Sequence, residues 1–429
     1  QEQLMHEFPE VEIMQGRNNY PCIINPKLSA AECIHTPTTP CHFKSTCPYE
    51  VQKKRVLEAN YQVLNYSYFI HESNYIGRFT DYPIIIADES DMLEATLTEF
   101  ISLNISSYIL HKLHIHPPKR KTSTAIGALD MWKEWAQSVI PKILKEIDRV
   151  DNELKEENEM KMLSDEDTAQ LVKHKQVMQS LSGKLRVFID NVDDSWIYEE
   201  HDKGWSFKPT WLTPTLSNMY FFSHAQRFVL MSATFPTKQV LAHMLGIGID
   251  DIDYYELPST FPVDNRRVKL EIAGDLRYNK KLGGIKSEDV YNVVEKVREL
   301  LNEHSDVKGV IHTVNWKLNT AIMEINNPRL VTHDSRNKND QLQYFMDSDE
   351  PLVFVSPSSA RGINLPDDLC RFIILLKAPY LSLADKLTSK RAYSGKLGQF
   401  WYSSMAAQEI VQMTGRGVRH KGDYCVSYI

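Results

Sequence analysis

The sequence predicts an α/β protein of two to four domains, with a parallel sheet in its C-terminal part. Strand-like apolar runs alternate with helical patterns, most regularly from about residue 268 onward. Such alternation favours parallel sheets joined by right-handed crossovers. A length of 429 residues exceeds what one hydrophobic core normally organises. The apolar fraction of 42% and the charged fraction of 24% are ordinary for a globular protein.

Charge and hydropathy exclude two broad classes of protein. The net charge of −7 gives no global basic field, so any nucleic-acid site must be local. No apolar run approaches the roughly 18 residues of a membrane span, and no signal-peptide pattern is recognisable. The first residue is Gln1, inside a helical pattern, and the last lies in a strand-like run. We therefore expect a segment of a longer protein without a membrane partner.

Four of the six cysteines crowd one proline-rich segment with the spacing C-x10-C-x7-C-x5-C. They are Cys22, Cys33, Cys41 and Cys47. The many proline, serine and threonine residues disfavour helices and strands there. An ordered segment therefore requires a cross-link such as a metal centre. Zinc prefers tighter C-x2-4-C pairs, and the wider spacing favours an iron–sulfur cluster. Zinc remains an alternative, as do free or disulfide-bonded thiols. Cys370 and Cys425 lie in apolar runs and are expected to be inert.

The stretch from residue 49 to residue 70 predicts one helix with basic residues followed by aromatic ones. Lys53, Lys54 and Arg55 precede Tyr61 and other aromatic side chains. Basic and aromatic residues together suit a track for single-stranded nucleic acid. The aromatic residues could equally belong to the core, which is their commoner position.

An acidic motif follows the predicted buried strand in 82–94, YPIIIADESDMLE. Ligands of α/β proteins bind at the carboxyl ends of the strands. Asp88 is a candidate for holding Mg²⁺ and Glu89 for polarising the water that attacks a γ-phosphate. The alternative is a helix N-terminus decorated with acids. A second strand, RFVLMSATF, delivers Ser232 and Thr234 at its end.

Residues 126–159 and 164–185 have the apolar periodicity of two long helices. We expect a helical hairpin that is inserted into the sheet domain, with Ser164 as the N-cap of its second helix. The many charges on it indicate a solvated face.

Two C-terminal motifs are candidates for phosphate binding. SARGINL, 359–365, places a glycine turn after a strand, where backbone amides can approach an anion. QMTGRGVR, 412–419, reads as the last turn of a helix that starts near Ser404. Arg416 and Arg419 would then share one helix face, and guanidinium groups match phosphate oxygens. A plain turn and a solvated basic helix end are the alternatives.

These motifs, in this order, resemble the superfamily 2 helicases with an iron–sulfur cluster, of the XPD and DinG-like branch. They are GRNNYPC with three more cysteines, IIIADESDMLE, VLMSATF, GVIHTV, SARGINL and QMTGRGVR. The resemblance implies two RecA-like, P-loop-type motor domains. Motor domain 1 would comprise 1–95 and 206–240, with the cluster segment at about 16–60. An arch-like helical insert would occupy 96–205, and motor domain 2 would occupy 241–429.

The resemblance also implies a role for each motif. The four clustered cysteines would ligate a 4Fe–4S cluster, with Arg17 close to it. Asp88 and Glu89 would be the Walker B acids that act on Mg²⁺ and water. The coupling motif would comprise Ser232, Thr234 and Asp91. The second motor domain would line the ATP cleft with Gly362, Asn364 and Gly415. Gln412, Arg416 and Arg419 would reach the γ-phosphate, and an arginine finger is worth about 10³–10⁵ in rate.

The implied activity is ATP-dependent translocation on single-stranded DNA, 5′ to 3′, with unwinding of fork or duplex DNA. A monomer in the cytoplasm, nucleoid or nucleus is expected, alone or within a repair or transcription assembly. The alternatives are a non-catalytic, metal-stapled nucleic-acid-binding protein and a purely structural zinc protein. An RNA substrate also remains open.

Three departures from the family pattern matter. No G-x-x-x-x-G-K-[ST] phosphate loop is present, so we expect this segment alone not to hydrolyse ATP. Ser90 and Asp91 replace the last two residues of Asp-Glu-Ala-His. An acid, Asp91, therefore stands where the family has a histidine, which reverses the sign of the charge that this side chain can carry. Asn364 replaces an acid, a milder change.

Overall fold

A computed structural model describes residues 8–26, 28–33, 41–119, 124–160, 165–279, 281–357 and 364–429. The chain divides into two compact units. Unit 1 comprises Gln1–Ala233 and Leu241–Ile252, and unit 2 comprises Thr234–Val240 and Asp253–Ile429. The segment Leu241–Ile252 therefore groups with unit 1, although the sequence placed it at the start of motor domain 2.

Among the described residues of unit 1, seven short strands form three small sheets. In chain order they are β1 (Val11–Met14), β2 (Tyr61–Leu64), β3 (Ile85–Ala87), β4 (Leu103–Ser106), β5 (Ile197–His201), β6 (Gly204–Lys208) and β7 (Phe228–Leu230). Strands β1 and β2 are parallel, as are β3 and β7, whereas β4, β6 and β5 form an antiparallel sheet in that order. The cysteine segment therefore lies on the crossover between β1 and β2.

The helices of unit 1 include the predicted long pair. The described helices are Pro48–Glu58, Tyr66–His71, Leu93–Ile101, Ser107–Lys112, Ala125–Met160, Asp165–Asn191 and Pro214–Tyr220, and Lys238–Leu245 crosses the division between the units. The long helices pack against β6 through an aromatic cluster in which the Trp132 ring centroid lies 5.3 Å from that of Phe207. The proposed N-cap, Ser164, lies outside the described residues.

Two predictions for unit 1 were wrong. The single helix over 49–70 is interrupted by β2, because the helix ends at Glu58 and Asn65 caps a new one by accepting from the Tyr68 N–H at 2.8 Å. The strand before the acidic motif is not buried on both faces, since Ile86 of β3 is 62% exposed. Among the described residues, this apolar strand is therefore covered on only one face.

The described part of unit 2 contains one parallel sheet of six strands. They are β8 (Val268–Lys269), β9 (Gly309–His312), β10 (Leu330–Thr332), β11 (Val353–Ser356), β12 (Phe372–Leu375) and β13 (Val426–Tyr428), in the order β10-β11-β9-β12-β13-β8. Its described helices are Ser287–Glu303, Trp316–Met323, Lys338–Asp347, Lys386–Ala392 and Lys396–Thr414. The predicted alternation of strands and helices is present.

Both faces of the central strands of this sheet are buried. Alternate residues of β9 and β12 enter opposite cores: Ile311 and Ile374 pack in one, and Val310 and Ile373 in the other. Side chains at the carboxyl ends of the central strands are therefore held by packing on both sides. No helix in the described part of the chain is long and apolar enough to cross a bilayer.

Candidate nucleotide and metal sites

The acidic motif forms a sharp turn directly after β3. Both Asp88 and Glu89 are exposed, and Glu89 has left-handed backbone angles of φ 50° and ψ 39°. Such a conformation is strained for a residue with a Cβ, and residues of this kind cluster at functional sites. The Glu89 N–H donates to Asp88 Oδ1 at 2.9 Å, which fixes the aspartate. Strand β7 supports the turn, since the Ser90 N–H donates to the Met231 carbonyl at 2.9 Å.

Tyr66, which sequence reasoning did not assign to this motif, holds the turn from the neighbouring helix. Its hydroxyl donates to the Asp88 carbonyl at 2.7 Å and to Ser90 Oγ at 3.3 Å. Burial, with a smaller contribution from the nearby carboxylates, raises the pKa of Tyr66, so the hydroxyl remains a donor. Within the described chain neither Asp88 nor Glu89 forms an ion pair. Their carboxylates are available to a divalent cation and a water.

The Ser-Ala-Thr motif carries one hydrogen bond in each unit. In unit 1, Ser232 Oγ donates to Asp91 Oδ1 at 3.0 Å. In unit 2, Gln412 Nε2 donates to Thr234 Oγ1 at 3.0 Å. The division between the units falls between Ala233 and Thr234. Asp91 therefore accepts a bond from the motif even though it replaces a histidine.

The arginine motif differs from its prediction. The helix spans Lys396–Thr414, and Gly415–Gly417 form a 3-10 turn before the chain becomes extended at Val418. Arg416 and Arg419 therefore do not share a helix face. Gly417 packs closely, since a Cβ there would lie 2.5 Å from Cys425 Sγ. A Cβ on Gly415 would meet nothing within 4 Å, which leaves open space beside the turn.

Buried Asp423 fixes the loop that follows this turn. Its carboxylate accepts from the Arg419 N–H at 3.0 Å, the Asp367 N–H at 3.2 Å and Arg371 Nη1 at 2.8 Å. Sequence reasoning missed Asp423. The only signal was an acid placed just before an apolar strand, where burial without a partner would be costly.

His312 is a second residue that the sequence did not reveal. It ends β9 at 1% exposure, and neither ring nitrogen has a hydrogen-bond partner among the described residues. Burial lowers its pKa to about 4, and the charges of Arg416 and Lys338 act in the same direction. The imidazole is therefore neutral at pH 7, close enough to Arg416 to feel its charge.

The glycine-turn motif is only partly visible. Gly362 lies outside the described residues, whereas Asn364 is exposed and Leu365 is buried in the core. The proposed contact of Gly362 with a nucleotide stays a prediction.

All four clustered cysteines are half-buried in irregular chain. Cys22 follows a bridge between Pro21 and Ser29, and Cys47 caps the helix Pro48–Glu58. None of the six cysteines, all of them described, forms a disulfide. Cys370 and Cys425 are buried, and a hydrogen bond from Cys425 together with burial raises the pKa of the Cys370 thiol. That pair has the character of inert core residues.

The four cysteines offer the thiolate ligands that both zinc sites and iron–sulfur clusters use. Tetrahedral zinc with Zn–S bonds of about 2.3 Å needs sulfur atoms about 3.8 Å apart. In the described chain, the one group of three candidate ligand atoms within 4.8 Å of each other is Asp367, His420 and Asp423. No three cysteine sulfurs of the described chain therefore form such a group. The choice between an iron–sulfur cluster and zinc stays a prediction from the sequence spacing.

Comparisons with known proteins agree with the motifs. The family model for a helicase C-terminal domain matches residues 289–429. The chain is similar to the ATP-dependent DNA helicase CHL1 of Saccharomyces cerevisiae, at 22% identity over 372 residues, covering 78% of this chain and 42% of that protein. The chain therefore spans less than half of the length of the curated relatives it matches.

Solved XPD structures share the fold. The structure named XPD_Helicase has a TM-score of 0.58 at 15% identity and covers 97% of this chain and 82% of its own. The structure named XPD_APO has a TM-score of 0.54 at 16% identity and covers 87% of this chain and 78% of its own. These likenesses confirm the predicted α/β fold with RecA-like units. With the family model and the CHL1 similarity, they confirm the resemblance to XPD and DinG-like superfamily 2 helicases.

Proposed function

We propose that this chain is the motor part of an ATP-dependent DNA helicase that translocates 5′ to 3′ on single-stranded DNA. One observation carries the proposal: Ser232 bonds Asp91 beside the acidic turn, and Thr234 bonds Gln412 of the arginine motif. Two residues of one tripeptide thus each bond, within their own unit, to a motif that would act on a nucleotide. A solvated acidic helix start and a solvated basic helix end would need no such bonds.

The proposed chemistry is in-line attack of water on the γ-phosphate of ATP. Asp88 would hold Mg²⁺, which neutralises charge on the phosphates when it is bound. Glu89 would orient the water and accept its proton. Arg416 would stabilise the charge that develops on the phosphoryl oxygens, with Arg419 and Gln412 beside it. Gly362, Asn364 and Gly415 would leave room for the nucleotide.

We further propose that the four clustered cysteines hold a 4Fe–4S cluster and that the long helices form an arch-like insert. Together they would guide a single strand away from fork or duplex DNA. A monomer acting in the nucleus, or in the cytoplasm or nucleoid of a bacterium, would suffice, with or without a repair or transcription assembly.

DNA-stimulated ATP hydrolysis tests this function. The chain should be expressed with any coding sequence that precedes Gln1, because the phosphate loop is absent from these 429 residues. Glu89→Gln should lower turnover by about 10²–10⁴. Glu94→Gln, a nearby buried acid bonded to Thr98 Oγ1 at 2.7 Å, serves as the matched control and should retain turnover within a few-fold.

The same protein should unwind a duplex with a 5′ tail faster than one with a 3′ tail. Tight binding of single-stranded DNA without any ATP turnover would reject the helicase and favour a non-catalytic binding protein. Retained turnover in Glu89→Gln would remove the proposed catalytic role of that residue.

A further inference from the structure

A buried polar cluster lies beside the cysteine segment in unit 1. It comprises Tyr49, Lys53, Tyr68 and Glu72, which are between 4% and 8% exposed. Lys53 and Tyr49 belong to the helix that begins directly after Cys47. Tyr68 and Glu72 lie on the next helix, where Glu72 opens a π-helical turn. Such turns are rare and occur often at functional sites.

Glu72 is the centre of the cluster, because both of its carboxylate oxygens are used. Lys53 Nζ lies 2.5 Å from Glu72 Oε2, and the Tyr49 hydroxyl donates to Glu72 Oε1 at 3.4 Å. The hydroxyls of Tyr49 and Tyr68 are 3.1 Å apart. These bonds hold the hydroxyl end of the Tyr49 ring in place.

The Tyr49 ring in turn connects the two ends of the cysteine segment. The Arg17 guanidinium carbon lies 5.2 Å from the ring centroid and Lys53 Nζ lies 5.5 Å from it. The Tyr20 ring meets it edge-on at 5.7 Å. Arg17 and Tyr20 precede Cys22, whereas Tyr49 is two residues after Cys47. One ring thus contacts residues on both sides of the cysteine segment, Arg17 and Tyr20 before it and Lys53 after it.

Stability alone does not explain a buried ion pair at this position. Apolar replacements of buried pairs are often neutral or stabilising, so such a pair is weak evidence of a stabilising role. Its directional bonds instead specify one geometry. Groups that do not bind a metal themselves commonly orient the residues that do. Their removal typically weakens metal binding 10- to 100-fold.

We propose that Glu72 is a positioning residue for the metal centre of Cys22, Cys33, Cys41 and Cys47, and that it acts through Lys53 and Tyr49. This inference rests on the proposed metal centre. It adds that the centre is held from outside its own segment, by the helix that also carries Tyr66 against the acidic turn.

Metal release to a chelator tests the proposal. The chain is reconstituted anaerobically with iron and sulfide, and iron loss is followed by the absorbance near 400 nm. Glu72→Gln should release iron roughly 10-fold faster than the wild type. Glu94→Gln removes a buried carboxylate elsewhere in unit 1 and should release iron at the wild-type rate.

A double variant separates positioning from stability. Lys53→Met with Glu72→Met removes both charges, so it should fold as stably as the wild type yet still release iron faster. If the folded double variant releases iron at the wild-type rate, the cluster only stabilises the fold and the proposal is wrong. If the double variant does not fold, Tyr49→Phe replaces it, because that change removes only the hydroxyl bonded to Glu72. A wild-type release rate in Tyr49→Phe would equally reject the proposal.

The wild-type chain distinguishes the two levels of inference. A chain that retains neither iron nor zinc rejects the metal centre and this proposal together. A chain that retains zinc rejects the cluster, and zinc release by the same variants then decides the role of Glu72. A chain that retains iron, with variants that match it, rejects the role of Glu72 alone.

Discussion

Each unit contains buried lysine, and Lys53 of unit 1 and Lys308 of unit 2 are satisfied in different ways. Lys53 of unit 1 is 4% exposed and faces the Glu72 carboxylate at 2.5 Å. Lys308 of unit 2 is 8% exposed and donates to backbone carbonyls at the end of the helix Lys338–Asp347, including Phe345 at 2.9 Å and Met346 at 3.2 Å. One is half of an ion pair, and the other is a helix cap.

The difference shows which buried charges can be replaced by apolar side chains together with their partners. A helix C-terminus carries only about half a negative charge, spread over several carbonyls that substitution cannot remove. A carboxylate carries a full charge on one replaceable side chain. Burial lowers the pKa of Lys53 and Glu72 opposes that shift, so the two residues depend on each other. We expect the pair to behave as one unit under mutation and the cap to behave as a single residue.

Breaking the pair should give the largest effect. Lys53→Met leaves a buried carboxylate without its cation, which should cost about 3–5 kcal/mol in the free energy of unfolding, measured by urea denaturation. Lys53→Met with Glu72→Met should recover most of that loss. The exposed neighbour Lys54, bridged to Glu58 at 3.8 Å, provides the control, and Lys54→Met should change stability by less than about 0.5 kcal/mol. A double variant no more stable than Lys53→Met would contradict the dependence.

His312 provides a third case, a buried group with no bonding partner among the described residues. Its pKa of about 4 lies below the unfolded value near 6.5. The unfolded chain therefore binds the proton first, and stability present above pH 6.5 is lost as the pH falls toward 4. The shift corresponds to ~3 kcal/mol.

The His312 effect is measurable by amide exchange of strand β9 between pH 7 and pH 4. His312→Phe should flatten the pH dependence over that window, whereas the exposed control His420→Gln should not. The charges of Arg416 and Lys338 lower the pKa of the ring, so Arg416→Met should raise the folded-state pKa of His312. The loss of stability should then be smaller and should level off at a higher pH. Equal pH profiles for the wild type and His312→Phe would show that the ring does not titrate in this way.

The sequence predicted the strands and helices of unit 2 better than it predicted the residues that surround the candidate sites. Strand and helix alternation depends on local apolar periodicity, which a single sequence shows directly. The break at β2 depends on pairing with β1, and the close packing of Gly417 on Cys425 is likewise a contact between chain segments, neither of which local periodicity shows. The motif residues were visible because their order is specific. Glu72, Tyr66, Asp423 and His312 were not, since each owes its role to a partner, or to burial, that only the fold brings about.

Removing the cap should have an intermediate effect. Lys308→Met leaves the helix-end carbonyls of Phe345 and Met346 without their donor, which should cost about 1–3 kcal/mol in unfolding free energy. The exposed Lys317→Met in the same unit is the control and should be near neutral. No substitution of a partner side chain can restore this loss, because the acceptors are backbone atoms. Rescue of Lys308→Met by a second side-chain change would therefore contradict the distinction drawn between the two lysines.

The smallest effects should come from the hydrogen bonds of the Ser-Ala-Thr motif. In a double-mutant cycle on urea denaturation, Ser232→Ala with Asp91→Ala should give a coupling of about 1–1.5 kcal/mol, since the acceptor is charged. Thr234→Val with Gln412→Met should give only about 0.5–1 kcal/mol, because both partners are neutral. These values are too small to explain the motif by stability, so a role in transmitting nucleotide state between its two bonds would remain the better explanation. A coupling near zero in both cycles would remove the observation on which the proposed function depends.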